Sequence, residues 1–139
     1  PDSLREAIRL YRQKFVPSKQ LQKPHVAVGV NVLAAETDRE AARLFTSMQQ
    51  AFANLHRNAR GQFPPPIDDI ESDWSPAEKR LATSMLRYSV VGSPSTVKAG
   101  LKEVIAETEA DELITVGSMF DIEARLRSFE ILAEVGLKL

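Results

Sequence analysis

The sequence contains no cysteine among its 139 residues, so neither disulfide bonds nor thiolate metal sites are possible. No apolar run approaches the ~20 residues that a membrane-spanning helix needs. The 18 basic residues are offset by 19 acidic ones, which leaves no basic excess to neutralise nucleic-acid phosphates. We therefore expect no nucleic-acid and no membrane partner. Because no signal-peptide pattern opens the sequence, the expected location is the cytoplasm.

Histidine is also scarce, and its placement argues against a metal site. His25 lies at the start of a predicted strand and His56 on a predicted helix, too isolated to supply three or four converging ligands. The acidic run between residues 68 and 73 lacks the ligand spacing of a calcium loop. What the chain does have is 43% hydrophobic and 27% charged residues, a composition typical of a folded globular domain.

Helical and strand patterns alternate along the chain. Apolar residues recur at helical spacing in five segments, and β-branched residues dominate three short segments. The predicted order is α-β-α-loop-α-β-α-β-α, with the strands in "HVAVGVNVLAA", "YSVVG" and "DELITVG". Such alternation predicts parallel strands joined by right-handed crossovers. The long loop, residues 58–75, is rich in proline and acidic residues and is expected to be functional or partly mobile.

The first predicted strand indicates a sheet larger than this chain can complete. Its small and β-branched residues suggest burial on both faces, Gly29 suggests close approach of a neighbour, and Asn31 is the one polar residue in the run. Three strands would leave two edges open. The sequence also begins with Pro1, which fits a trimmed tag, a removed initiator or a piece of a longer protein. We predict one partial domain over residues 1–139.

Binding groups in parallel α/β folds gather where strands end and helices begin. At the second such junction, Gly92 permits a sharp turn and Ser93 lies beside a helix start whose free N–H groups could hold an anion such as phosphate. The alternative is a plain helix cap. A small phosphate-ligand binder using the turn from Gly92 to Thr96 is therefore one possible function.

The third junction places large apolar residues at the end of a strand. Met119 and Phe120, beside Ser118, suit a flat aromatic ligand or an apolar substrate. The alternative is that they pack in the core. Asp121 is interpreted as a helix N-cap rather than as a catalytic residue.

Three stretches taken together resemble one enzyme family. They are "LYRQKFVPSKQLQKPHVAVGVNVLAAETDREAARL", "YSVVGSPSTVKAGLKEVI" and "ADELITVGSMFDIEARLRSFEILAEV". In combination they resemble the C-terminal part of the bacterial-luciferase-like flavin-dependent monooxygenases, in the branch called alkanal monooxygenase-like. The resemblance covers nearly the whole chain.

The resemblance implies a fold, a cofactor and a reaction. The fold would be the C-terminal portion of a (β/α)8 TIM barrel, about three parallel strands alternating with helices. Members use reduced FMN and oxygen to oxidise an aldehyde or other small organic substrate. Most of their catalytic and flavin-phosphate contacts lie in the N-terminal half, so we assign no catalytic residue here. We expect Asn31, Ser118, Met119 and Phe120 to line the pocket, and the chain alone to be inactive.

A function of another class also fits the sequence. Three strand-helix units with open edges could pair with a second copy and act as a non-enzymatic, self-associating βα interaction module. Family members often dimerise through helices, so the resemblance also implies a homo-oligomer.

Overall fold

The computed structural model describes residues 2–59, 61–137 and 139; Pro1, Arg60 within the predicted loop, and Lys138 lie outside the described residues. Five helices and three strands alternate as the sequence predicts. They are α1 (Asp2–Lys14), β1 (Ala27–Ala34), α2 (Asp38–His56), α3 (Pro76–Met85), β2 (Ser89–Gly92), α4 (Pro94–Thr108), β3 (Glu112–Val116) and α5 (Ile122–Gly136). None of the helices within these described ranges is long and apolar enough to cross a membrane.

Side-chain caps fix three of the helix starts. The Thr37 hydroxyl accepts from the Glu40 N–H at 3.2 Å, and the Asp121 carboxylate accepts from the Ala124 N–H at 2.8 Å. Ser75 and Glu78 form a complete capping box before α3, in which each side chain accepts from the other's backbone N–H. These contacts satisfy N–H groups that have no partner within their own helix, which is why the helices begin where the sequence predicts.

The strands form one parallel sheet in the order β2-β1-β3. β3 pairs with β1 from Ala27↔Glu112 to Asn31↔Val116, and β2 pairs only with the later half of β1, from Asn31↔Ser89 to Ala34↔Gly92. The predicted parallel α/β arrangement is thus confirmed. The order is a new finding, because three consecutive barrel strands would place β2 between its neighbours, whereas here β1 is central.

The main hydrophobic core lies on one face of this sheet. Alternate residues of β1, among them Val28, Val30 and Val32, are almost completely buried. They belong to one cluster with Leu101 of α4 and Ile131 of α5, which are each 1% exposed. The period of two along β1 therefore selects which side chains enter the core.

The opposite face of the sheet is uncovered along the first half of β1, which corrects the expectation of burial on both faces there, whereas Leu33 near the end of β1 is buried against Ala41 of α2. Ala27 and Gly29 are exposed, and on β3 Ile114 is 53% and Val116 51% exposed. A Cβ built on Gly29 would meet nothing within 4 Å, so the predicted close approach of a neighbour at this glycine is not made by the described residues. We call the surface formed by Ala27, Gly29, Asn31, Ile114 and Val116 the open face.

The segment between α2 and α3 is held against α2. The Thr46 hydroxyl accepts from the Ile67 N–H at 2.9 Å, and the Gln50 amide donates to the Pro65 carbonyl at 2.9 Å. Trp74, at the end of the segment, is 9% exposed. The segment lacks helix and strand in its described residues, yet buried side chains of α2 fix its path.

Candidate functional site

The open face has a polar centre in an otherwise apolar surface. Asn31 lies in the middle strand, paired in register with Ser89 on one side and Val116 on the other. Since residues paired in a parallel sheet point to the same face, all three side chains lie on the open side. Asn31 is half-buried, and its Nδ2 donates to the Ser89 Oγ at 3.4 Å, a long hydrogen bond.

Ser89 also faces a groove, which extends the candidate site beyond the open face. This open groove runs between α2 and β2, and its apolar lining includes Phe45, Leu86 and Val91. The half of the open face beside β2 is therefore bordered by α2, while the half beside β3 is exposed.

The predicted pocket residues at the third junction do not stay together. Met119 is 8% exposed and packs in a second hydrophobic cluster with Leu33, Ala35 and Ala41. The structure thus gives Met119 the alternative role, core packing. Phe120 is 55% exposed and Ser118 is half-buried. Asn31, by contrast, lies on the open face as a pocket-lining residue would.

The predicted anion site is filled by a side chain of the chain itself. The Asp38 carboxylate, at the start of α2, accepts from the Ser93 N–H at 2.7 Å. Ser93 occupies the N-cap position of α4 without making a side-chain cap, so Asp38 supplies the capping acceptor from another helix. A Cβ on Gly92 would lie 2.5 Å from the Thr96 Cγ2 and 2.7 Å from the Asp38 Oδ1, which accounts for glycine there.

These contacts change the acidity of Asp38, the acceptor in this exposed turn. The hydrogen bond from the Ser93 N–H, followed by those from the hydroxyls of Thr96 and Ser93, holds the pKa of Asp38 below its ordinary value. Asp38 is therefore a carboxylate at neutral pH. A phosphate would have to displace this anion, and the turn favours neither phosphate binding nor acid-base chemistry.

Sequence reasoning missed the two residues that matter most here. Ser89 reaches Asn31 through strand register, and Asp38 reaches Ser93 across 55 residues of sequence. Neither partnership leaves a local pattern in the sequence. The one available signal was that Asp38 is the first residue of α2, after the Thr37 cap. A carboxylate is favoured at that position by the helix dipole alone, so the signal does not point to Ser93.

No family model matches the chain. The chain is 46% identical over 135 residues to a luciferase-like monooxygenase of Escherichia coli K12, which covers 97% of this chain and 40% of that protein. It is 41% identical over 129 residues to the uncharacterized protein YvbT of Bacillus subtilis, covering 93% of this chain and 38% of that protein. The chain thus spans about two fifths of the length of these curated relatives.

A solved structure agrees with the sequence relatives. The crystal structure of apo-MsnO8 superposes with a TM-score of 0.76 at 28% identity, covering 95% of this chain and 40% of that one. Sequence and structure comparisons therefore both match this chain to two fifths of a longer protein.

Proposed function

Because this chain belongs to the luciferase-like monooxygenase family, we propose that it forms the C-terminal part of a flavin-dependent monooxygenase that oxidises an aldehyde or other small organic substrate. The resemblance found in the sequence supports the same assignment. In this proposal the remaining three fifths of the enzyme supply the other strands, and this chain by itself is inactive.

The open face is the observation that carries the proposal. A parallel sheet in a soluble protein is normally covered on both faces, yet the first half of β1 here is buried on one face only. The uncovered side chains are apolar, with Ile114 and Val116 about half exposed. Such a surface is what a barrel strand presents towards the interior, where neighbouring strands and a bound molecule would cover it.

The residues of this chain fit one part of a flavin better than another. The turn at Gly92 and Ser93 is poor for the FMN phosphate, because the Asp38 carboxylate already accepts from its N–H group. The open face, by contrast, is apolar and uncharged around Asn31, and could lie against a planar ring. We therefore place the phosphate contacts in the part of the enzyme beyond this chain.

The role of this chain in the reaction would be to form one wall of the substrate pocket and to exclude water from it. Reduced flavin, when bound, would supply the electrons that allow oxygen to attack the substrate. Ile114 and Val116 would exclude water from one side, and Asn31 and Ser89 would offer neutral hydrogen-bonding groups. Neither Asn31 nor Ser89 is suited to act as an acid or base at neutral pH.

A chimera tests the proposal. The 135 residues of this chain replace the matching segment of the E. coli relative, and FMN binding and aldehyde oxidation with reduced FMN are measured. We expect the chimera to bind FMN as the unaltered relative does, and the 139-residue chain alone to show no turnover. A chimera that folds by circular dichroism but does not bind FMN would overturn the assignment, and turnover by the chain alone would refute its inactivity.

A second candidate, the self-associating interaction module, is favoured by the outer surface of α5. Ile122 and Leu126, one helical turn apart, are 57% and 52% exposed, and Phe129 lies close to the same stripe. Together with the open face they give this chain two apolar surfaces. We propose that these surfaces make it homo-oligomeric when it is present alone.

A further inference from the structure

Asn31 lies at the centre of the open face, where its side-chain amide could hydrogen-bond a bound substrate. It sits on the central strand with Ser89 on one side, and its other neighbours on the open face are the apolar Gly29 and Val116. An amide in the middle of an apolar surface is costly once that surface is covered, unless its polar atoms find partners. In the proposed enzyme the open face is covered, so the partners of this amide matter.

The hydrogen bonds of Asn31 leave most of its capacity unused. One Nδ2 hydrogen points to the Ser89 Oγ at 3.4 Å. The Oδ1 atom accepts no hydrogen bond from residues 2–59, 61–137 or 139. The second Nδ2 hydrogen and the Ser89 hydroxyl hydrogen are also available. The pair therefore presents one acceptor beside two donors, facing out of the sheet.

We propose that Asn31 and Ser89 form the specificity-determining pair for a neutral amide-like group, a carbonyl adjacent to an N–H, on the organic substrate. The substrate carbonyl would accept from the Asn31 Nδ2 or the Ser89 hydroxyl, and its N–H would donate to the Asn31 Oδ1. Its apolar body would lie on Gly29, Ile114 and Val116. This inference rests on the proposed function, because it takes the open face as the wall of the substrate pocket.

The surroundings of the pair select against other groups. The side chains paired directly beside Asn31, Ser89 and Val116, are uncharged, and the carboxylate of Glu112 lies further along the same side of β3. Arg39 and Arg43 line the groove that Ser89 faces, so a carboxylate would be drawn to the groove and not to Asn31. A ketone or aldehyde would satisfy the donors and leave the Asn31 Oδ1 without a partner. An unmet acceptor of this kind weakens binding about 3- to 10-fold in a typical site.

The test compares three small probes of similar shape on the Leu126→Glu variant of this chain, diluted until sedimentation velocity shows a monomer, so that the open face is free. Hexanamide offers both a donor and an acceptor, 2-hexanone offers an acceptor only, and hexanoate is charged. Binding is followed by the side-chain amide signal of Asn31 in the nitrogen-15 NMR spectrum. We expect hexanamide to shift this signal and to bind about 3- to 10-fold more tightly than 2-hexanone.

Variants separate the pair from the surface around it. Asn31→Leu should abolish the preference for hexanamide over 2-hexanone, and Ser89→Ala, which cannot disturb the packing of Asn31 by bulk, should reduce it. Gln13→Leu, which removes an exposed amide on α1, should leave it unchanged. An unmoved Asn31 signal, or a preference that survives Asn31→Leu, overturns the inference. Neither result depends on FMN, so failure of the flavin assignment would show only in the chimera.

Discussion

At the scale of single residues, a buried hydroxyl stabilises the fold only where it has a hydrogen-bond partner. Ser128 of α5 is 3% exposed, and its Oγ accepts from the Ala34 N–H at 2.9 Å. That N–H faces the side of β1 where β3 has already ended, since the last pair is Asn31↔Val116. The Ser128 hydroxyl thus takes the place of a missing strand. Ser47 is fully buried, and its Oγ has no partner in the described part of the chain.

Ser128→Ala should therefore destabilise the fold by about 1–3 kcal/mol, the usual cost of leaving a buried donor unsatisfied. Ser47→Ala is the matched control, because it removes a hydroxyl that gains nothing from burial, and it should be neutral or stabilising. Urea unfolding followed by circular dichroism measures both. Equal losses for the two variants would show that the hydroxyl of Ser128 does not support β1.

Asp38 gives a pH dependence of known sign. Its folded-state pKa is lowered, chiefly by the Ser93 N–H, so its ionised form favours the folded state. This contribution is present above the ordinary pKa of 3.8 and is lost as the pH falls through the lowered value.

Asp38→Asn should accordingly lower the urea midpoint at pH 7 and have a smaller effect at pH 3, which is below the ordinary pKa of 3.8, so that the unfolded chain already holds the proton. Glu40→Gln removes a charge from the same turn of α2 and controls for the general effect of the helix dipole. If both variants lose the same stability at both pH values, the contact with Ser93 has no specific role.

At the scale of helices and strands, the sequence predicted most of what the structure shows. The Asp121 cap is confirmed, and the Thr37 and Ser75 caps are equally local, because each cap and its helix lie within four residues of each other. The start of α4 is the instructive exception. Ser93 occupies the N-cap position of α4, but its side chain makes no capping hydrogen bond. Its backbone N–H donates instead to the Asp38 carboxylate, a partner that a local sequence pattern cannot reveal.

The segment between α2 and α3 shows the same limit. Its composition predicted a loop, and the contacts that hold it in place come from Thr46 and Gln50 on a distant part of the chain. The sequence predicts for Thr46 only the role of a polar residue in an amphipathic helix. Only the folded chain shows that its hydroxyl replaces a backbone partner for Ile67.

Thr46→Val should release this segment without unfolding α2. The Ile67 N–H loses its acceptor, and we expect its hydrogen exchange to accelerate by about fivefold, equivalent to one hydrogen bond of about 1 kcal/mol. Thr83→Val, on the exposed surface of α3, is the control. Unchanged exchange at Ile67 would mean that the segment is held by other contacts.

At the scale of the whole molecule, strand order and the open face were beyond sequence reasoning. The composition of β1 predicted burial on both faces, and the structure shows this only at the end of the strand, at Leu33. Ala27 and Gly29 are exposed, because a pattern of small apolar residues indicates what a strand can tolerate and not what covers it. Asn31 was singled out as a pocket-lining candidate from its polarity alone, and that role stays a prediction. Its partner Ser89 required knowledge of the register.

The uncovered apolar surfaces should make this chain self-associate in solution. Ile114→Lys on the open face and Leu126→Glu on α5 should each shift sedimentation velocity towards the monomer. Leu55→Glu, at a similarly exposed leucine on α2, is the control and should not. A monomeric wild-type chain at micromolar concentration would contradict the prediction.

The central position of β1 also governs how this chain reaches its native state. Its two partners begin 58 and 85 residues later, at Ser89 for Asn31 and Glu112 for Ala27. During synthesis β1 is therefore complete long before either neighbour exists, and the sheet closes only after large loops have been ordered. We expect slow folding, with β1 dependent on chaperones until β3 emerges, whereas α1 and α2 can form at once from local contacts.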